Sequence, residues 1–465
     1  MINKQIISSP PKGLAILLMV GPSIVWASEY IGSGEVIIAT RTGAILGSSI
    51  IWAIIIGIGL KFWIGMSGAR YTVCTGEGMI DMFDRMPGPK HWAVWLVLIA
   101  QFVAGTISIG SVAAAGGTFI SSLLPVSPAT GGWIVTSFAF LVAWSGEFKW
   151  LKITMSILIL IVILGVFNVC AHVMPSFPEL LKGIIPHKPE LSEWVIRKGV
   201  TDNPWKEVLP LLGWGAGGFA SQVWYSYWVM GAGYGAARKN QYGIPADIDR
   251  LKKLDAKEAR SIKGWCRMVY TDSSLAMIIG ILVTSSFLIA GAGILGPQEI
   301  APDGNQVAFQ LSTLFSSRWG KLGGILFMVG GTAALVSTNI GQLAGWPRLL
   351  ADSFRICIPG FNRTFRWKTQ YRIFLCYFFI TNMIIIYTLG YQPVVLVKFS
   401  AILEGLLLTP FQAVWILIAL YFVLPRFYNP EVAKILKPHW IFAVGLVIAC
   451  LFFGYFCIYQ IPKIL

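Results

Sequence analysis

Gly213-Trp214-Gly215-Ala216-Gly217-Gly218 interrupts a long apolar run, and Tyr30-Ile31-Gly32-Ser33-Gly34-Glu35 interrupts another at the matching place in the first half of the chain. Glycine weakens a helix because it has no side chain to restrict its backbone. In hydrocarbon, an open backbone is tolerated only where protein or a water-filled cavity satisfies it. Paired breaks of this kind are a sequence mark of a secondary transporter built from inverted repeats, and they point to its ligand site.

The rest of the composition agrees with a membrane setting. The chain has 465 residues, 56% hydrophobic and 12% charged, with a mean hydropathy of +0.70. A soluble domain carries about 25% charged residues. Apolar runs of about 20 residues recur, the length that crosses a bilayer. The expectation is an all-α polytopic membrane protein with eleven transmembrane helices, near 14–43, 45–66, 92–122, 132–146, 152–174, 208–236, 268–295, 320–350, 371–389, 394–424 and 438–460. Spans 1–5 and 6–10 then form a LeuT-like 5+5 inverted repeat with broken helices 1 and 6. The first repeat covers 1–183, a Pro-rich external connection 184–206, the second repeat 207–425, and an extra helix 426–465.

The net charge of +15 would suggest nucleic acid in a soluble protein. Here it reads as topology, because Lys and Arg crowd cytoplasmic loops. The segment after span 6 carries Arg238, Lys239, Arg250, Lys252, Lys253, Lys257, Arg260, Lys263 and Arg267. That places the N-terminus in the cytoplasm and the C-terminus outside, in an inner or plasma membrane. Within that loop, ADIDRLKKLDAKEARSIK (246–263) reads as a cytoplasmic surface helix. MINKQIISSPPKG precedes an apolar run without an A-x-A-like cleavage site, so the run is expected as a retained span. The seven cysteines lack a Cys-x-x-Cys pair and read as packing residues. Trp144, Trp150, Trp367 and Trp440 sit near predicted span ends, where indoles favour the interface. Trp26, Trp214, Trp224 and Trp228 lie close to the breaks, and either pack the bundle or line a cavity.

Of 21 Asp and Glu residues, Glu29, Glu35 and Glu404 fall well inside predicted spans. An ionisable group at that depth is a functional hypothesis by default. Glu35 follows the first break, where the positive end of a half-helix stabilises a carboxylate. It therefore either caps that half-helix or contacts the substrate or ion. Glu404 either pairs with Lys398 or faces the cavity. Glu29 fits a structural ion pair or a transport role. The four histidines lie away from mid-membrane depth, which disfavours a histidine metal site in the core. TGEGMID (75–81) resembles a Gly-rich loop, but a lone match is weak. No hydrolase elbow or P-loop is present, so no enzyme and no cofactor is expected, and any transport is driven by a gradient.

Three stretches resemble one family. GPSIVWASEYIGSGEVIIATRTGAILGSSIIW (21–52) resembles the first two spans of Nramp metal-ion transporters. SGARYTVCTGEGMIDMF (67–83) resembles the segment that follows, and STNIGQLAGWPRLLADSFR (337–355) the end of their eighth span. The resemblance implies a LeuT-like fold, alternating access and a central site between spans 1 and 6. Against the family pattern this chain is divergent. Gly32-Ser33-Gly34-Glu35 stands where the family has Asp-Pro-Gly-Asn. Phe219, Ala220 and Ser221 align with its Met-Pro-His signature, and Ser226 with a further histidine. Gln101, Thr106 and Ser108 stand where span 3 normally carries acids. These replacements remove the soft ligand that selects transition metals.

The resulting expectation is a Nramp-like secondary active transporter or symporter of a cation, a divalent metal first. A hydrated hard cation such as magnesium suits one carboxylate with backbone oxygens. Gly32, Ser33 and Gly34 supply unwound backbone and Glu35 the charge at the metal. Gly217, Phe219, Ser221 and Gln222 form the facing wall, and Glu404 is a secondary ligand. The expected partners are the transported cation and the lipid bilayer. The rival readings are a transporter of a small organic solute, such as an amine or amino acid, and a non-transporting sensor.

Overall fold

The computed structural model describes residues 7, 9–11, 13, 16, 21–146, 153, 160, 163–237 and 241–464, and the descriptions that follow concern those residues. The start of predicted span 1, most of predicted span 5, Trp150, Arg238 and Lys239 lie outside them. Every regular element is helical. Seven helical segments are long and apolar enough to cross a bilayer, and Pro128–Trp144 is a shorter apolar helix. The predicted all-helical membrane architecture is therefore present.

Predicted span 1 is broken. Helix α1 (Pro22–Tyr30) ends at Ile31, the backbone opens over Ile31 and Gly32, and Ser33 and a π-turn (Gly34–Ala39) lead into α2 (Thr40–Leu46). Helices α3 (Ile51–Thr75), α4 (Trp92–Leu123) and α5 (Pro128–Trp144) follow. Predicted span 6 is broken in the same way, into α6 (Trp205–Trp214) and α7 (Phe219–Ala232). Between these two halves Ala216 has φ +59° and Gly217 φ +75°. That left-handed pair turns the chain, and Gly217 adopts it without the Cβ penalty that Ala216 carries.

Helix α8 (Ala256–Ala290) starts earlier than expected. Asp255 caps it, with the Asp255 and Glu258 side chains each accepting the other's backbone N–H. The stretch 246–263 is thus not one surface helix. It holds a five-residue helix, Ile248–Lys252, and the first turns of a helix that continues into the membrane. Helix α9 (Val307–Cys357) bends at Trp319 and Gly320, and the apolar span begins at that bend. Helix α10 (Trp367–Leu389) leads to predicted span 10, which is itself interrupted: α11 (Pro393–Gly405) and α12 (Thr409–Ile418) flank a turn at Leu406–Leu408. Helix α13 (Trp440–Tyr455) completes the bundle. TGEGMID does not form a phosphate loop. Gly76 ends α3 in the left-handed region, and Glu77 binds the Arg85 guanidinium at 2.6 Å.

Small residues bring the elements together, as helix packing in lipid requires. A Cβ on Gly405 of α11 would lie 2.0 Å from the Gly213 carbonyl of α6, and one on Gly34 would lie 2.7 Å from the Trp214 carbonyl. Helix α9 docks on α4 through polar ties: Trp346 Nε1 donates to Gln101 Oε1 at 3.0 Å, and Asn339 Nδ2 to the Ile109 carbonyl at 3.1 Å. Aromatic and aliphatic side chains such as Trp440 (65% exposed) and Leu451 (68% exposed) cover the outer surface, where lipid is the solvent.

Two substitutions test this packing. Ala216→Gly relieves a left-handed alanine and is expected to raise the thermal midpoint of the purified protein, by a stabilisation of about 1 kcal/mol. Gly405→Ala forces α6 and α11 apart and is expected to lower the midpoint through a cost of about 1–3 kcal/mol.

Candidate functional site

The breaks meet. Glu35 Oε2 accepts from the Gly32 amide at 3.0 Å, closing its own half-helix start. Its other oxygen reaches across to the second break, accepting from the Ala216 amide at 3.1 Å and from Thr284 Oγ1 of α8 at 3.3 Å. One fully buried carboxylate therefore serves unwound backbone in both halves of the chain. Glu35 thus makes the capping contact expected at the break.

Glu404 comes from the last turn of α11. Its Oε1 accepts from the Ala220 amide in the first turn of α7 at 2.6 Å, and its Oε2 from Trp214 Nε1 at 2.7 Å. A carboxylate at a helix N-terminus meets the positive end of the dipole and the unpaired amides there. Gly218 is the residue that admits it, since a Cβ there would fall 1.9 Å from Glu404 Oε2. Lys398 does not pair with Glu404; it binds Glu207 at 2.8 Å. Glu29, on the last turn of α1, accepts from Ser221 Oγ at 2.5 Å, and that hydroxyl in turn accepts from Trp26 Nε1 at 2.9 Å.

A cavity of about 20 Å³ lies between the breaks, room for about one water-sized particle. Its wall includes Glu29, Ser33, Gly34, Gly217, Ser221, Glu404, Thr338 and Gln342, with Tyr30, Trp214, Trp224 and Trp346 around them. Ser33 Oγ, Thr338 Oγ1 and Gln342 Oε1 are buried without a hydrogen-bond partner. A buried polar atom without a partner is costly and signals a missing ligand or water. Of the expected site residues, Ser33, Gly34, Gly217, Ser221 and Glu404 share this wall. Gly32 lies against α9, where a Cβ would strike the Thr338 hydroxyl at 1.8 Å. Phe219 turns away and stacks on Phe83 with ring centroids 5.9 Å apart. Gln222 is fully buried with neither amide atom paired, and is not on the cavity wall. Trp214 and Trp224 line the cavity, whereas Trp228 packs elsewhere, with the Arg348 guanidinium 5.4 Å from its ring. Gln101 is spent on Trp346, and Thr106 shares a hydrogen bond with Tyr377 at 2.9 Å.

Two charged residues escaped the sequence reading. Asp272 of α8 binds the start of α1, accepting from the Gly21 and Ser23 amides at 3.2 and 3.0 Å. Lys61 of α3 donates to the Gly213, Gly215 and Gly217 carbonyls at 2.6, 3.1 and 2.7 Å. The signal for Lys61 was available: a lone lysine in the apolar run Ile58-Gly59-Leu60-Lys61-Phe62-Trp63-Ile64. Counting only acids inside spans passed it over.

Buried ion pairs tie the elements around the cavity to their neighbours. Arg41 of α2 binds Glu207 of α6 at 3.2 Å, and its Nη1 donates to the Pro302 carbonyl at 2.6 Å. Arg355 of α9 binds Asp81 at 2.6 Å and Asp352 at 3.3 Å. Among the described residues, no three His, Cys, Asp or Glu side chains converge as a metal cluster.

The geometry can be set beside known proteins. The manganese transporter of Eremococcus coleocola superposes with a TM-score of 0.66 at 16% identity, covering 99% of this chain and 93% of that one. The divalent metal cation transporter MntH of Lacticaseibacillus casei is 23% identical over 277 residues, 59% of this chain and 54% of the relative. MntH of Yersinia enterocolitica is 26% identical over 99 residues, 21% of this chain and 24% of the relative. The matches thus span about half or less of the length of these curated relatives. The model of the Natural resistance-associated macrophage protein-like family matches residues 23–197 and 247–455, most of the chain and both of its halves. With the two opposed breaks, the LeuT-like bundle and that family match together, this chain is a member of the Nramp family of membrane transporters, and not an enzyme.

Proposed function

We propose that the chain is a secondary active transporter that carries a divalent metal ion by alternating access. One observation carries this reading. Ser33 Oγ, Thr338 Oγ1 and Gln342 Oε1, none of them hydrogen-bonded, share a water-sized cavity with the carboxylates of Glu29 and Glu404. The unpaired hydroxyl and amide oxygens and the two carboxylates on this wall suit a hard cation, magnesium or manganese, more than a metal that needs thioether or imidazole, while the unpaired Trp224 Nε1 beside them is a donor and no ligand. The family match and the relatives named as divalent metal cation transporters support the same cargo.

The volume bears on the organic-solute alternative. An amino acid or amine has several non-hydrogen atoms, and about 20 Å³ holds about one water-sized particle. The indoles around the wall suit such a solute, and the narrow cavity of this conformation favours the smaller cargo. In this reading Glu29 and Glu404 contact the cargo, and Glu35 holds the two breaks in register. The ion pairs Arg41–Glu207 and Arg355–Asp81 act as the two gates. The repeats 1–183 and 207–425 move about the cavity, with 184–206 as their connection and 426–465 outside the repeat. The N-terminus lies in the cytoplasm and the C-terminus outside, as the basic loops indicate.

Uptake of labelled manganese and magnesium into proteoliposomes tests the cargo and the roles. Glu29→Gln is expected to reduce uptake about tenfold or more, the equivalent of one charge-assisted contact, while eluting as folded protein; Glu404→Gln is expected to reduce uptake similarly and also to lower the thermal midpoint, because the Ala220 amide and Trp214 Nε1 donate to its two oxygens. Glu35→Gln is expected first to lower the thermal midpoint, since one of its oxygens becomes an amide facing backbone donors. Wild-type vesicles that take up neither metal, or glutamine variants at Glu29 and Glu404 that match wild type, would overturn the proposal. Saturable metal binding without uptake would identify the sensor instead.

A further inference from the structure

We propose that Lys61 is a built-in substitute for a dissolved monovalent cation, its ammonium filling a backbone-carbonyl cage at the second break. The cage is the C-terminal end of α6 and the turn after it. The Gly213, Gly215 and Gly217 carbonyls all point at one nitrogen, at 2.6, 3.1 and 2.7 Å. Helix α6 ends at Trp214, so these carbonyls have lost their helical partners. The Gly213 carbonyl belongs to the negative end of the α6 dipole, and those of Gly215 and Gly217 to the cap and turn that follow it. Lys61 is fully buried, and an ammonium has three N–H donors and no acceptor. Each donor finds a carbonyl, so the group is saturated without any carboxylate in the set.

Rings of backbone carbonyls that replace a hydration shell are how proteins hold alkali cations. In broken-helix transporters, unwound carbonyls and half-helix ends of this kind coordinate the coupling ion. Here the cation is delivered on a covalent stem from α3. The consequence is specific. The wild-type break needs no dissolved sodium or potassium, and cutting the stem creates a vacancy that an alkali ion can fill. The inference concerns the integrity of the break and does not depend on which cargo the neighbouring cavity takes.

The test is thermal unfolding of the full-length purified protein in choline chloride, sodium chloride and potassium chloride at matched ionic strength. Wild type is expected to unfold at one midpoint in all three. Lys61→Ala is expected to unfold lower in choline, and to recover in a saturable way with potassium or sodium, as ligand linkage requires. Lys61→Met keeps the aliphatic stem and drops the charge. It is expected to stay low in every salt, because its side chain blocks the vacancy; this separates lost packing from the lost cation. The proposal is overturned if Lys61→Ala matches wild type in choline, or if neither alkali ion shifts it. It is also overturned if wild type shows the same alkali response. Failure to recover Lys61→Ala from potassium-rich cells in any of the three salts overturns it as well, since a dissolved ion would then not replace the ammonium.

Discussion

A backbone that unwinds inside hydrocarbon must find partners for its amides and carbonyls, and this bundle finds them in a small set of buried charges. Glu35 accepts from an amide of each break. Glu404 accepts from the first turn of α7, Lys61 donates to the last carbonyls of α6, and Asp272 accepts from the start of α1. In each case the charge of the side chain is opposite to the partial charge of the backbone it meets. An unsatisfied polar group in lipid costs several kcal/mol, so the breaks and these charges are one structural unit.

That arrangement divides the acids by role. Glu35 is absent from the cavity wall, and that placement sets it apart, since the oxygens of Glu404 accept from protein donors just as those of Glu35 do. Glu29 and Glu404 are on the wall, beside hydroxyl and amide oxygens with no protein partner. The charge near the cavity is thus supplied from α1 and α11, with α9 contributing Thr338 and Gln342. Where the family pattern has Met-Pro-His, this chain places Phe219, Ala220 and Ser221. Phe219 leaves the site to stack on Phe83, the Ala220 amide receives Glu404, and Ser221 passes a hydrogen bond from Trp26 to Glu29. The soft ligands have been replaced by a hydrogen-bonded scaffold for two carboxylates.

Close approach of main chains makes this possible. Gly213 and Gly405 let α6 and α11 touch, and Gly218 leaves space for the Glu404 carboxylate. A side chain at any of these would move the acid off the α7 terminus. The ionic clusters at Glu207 and at Arg355 then tie the half-helices and α9 to their neighbours.

The chain's membrane nature, its helical class and the position of both breaks were legible in the sequence, because they follow from local properties: apolar run length and the conformational freedom of clustered glycines. The resemblance at 21–52, 67–83 and 337–355 pointed to the family for the same reason, since motifs are contiguous. What sequence could not decide was which way each charge points. Glu35 meets Ala216, Glu404 meets Ala220 and Lys61 meets Gly213 across sequence separations of 181, 184 and 152 residues. Those contacts depend on how spans distant in the sequence dock, and the small-residue packing that sets the docking carries no pairing label of its own. Tertiary structure alone therefore separated the carboxylate that braces the breaks from the two that face the cavity, and it alone showed that a lysine stands in the cage of carbonyls.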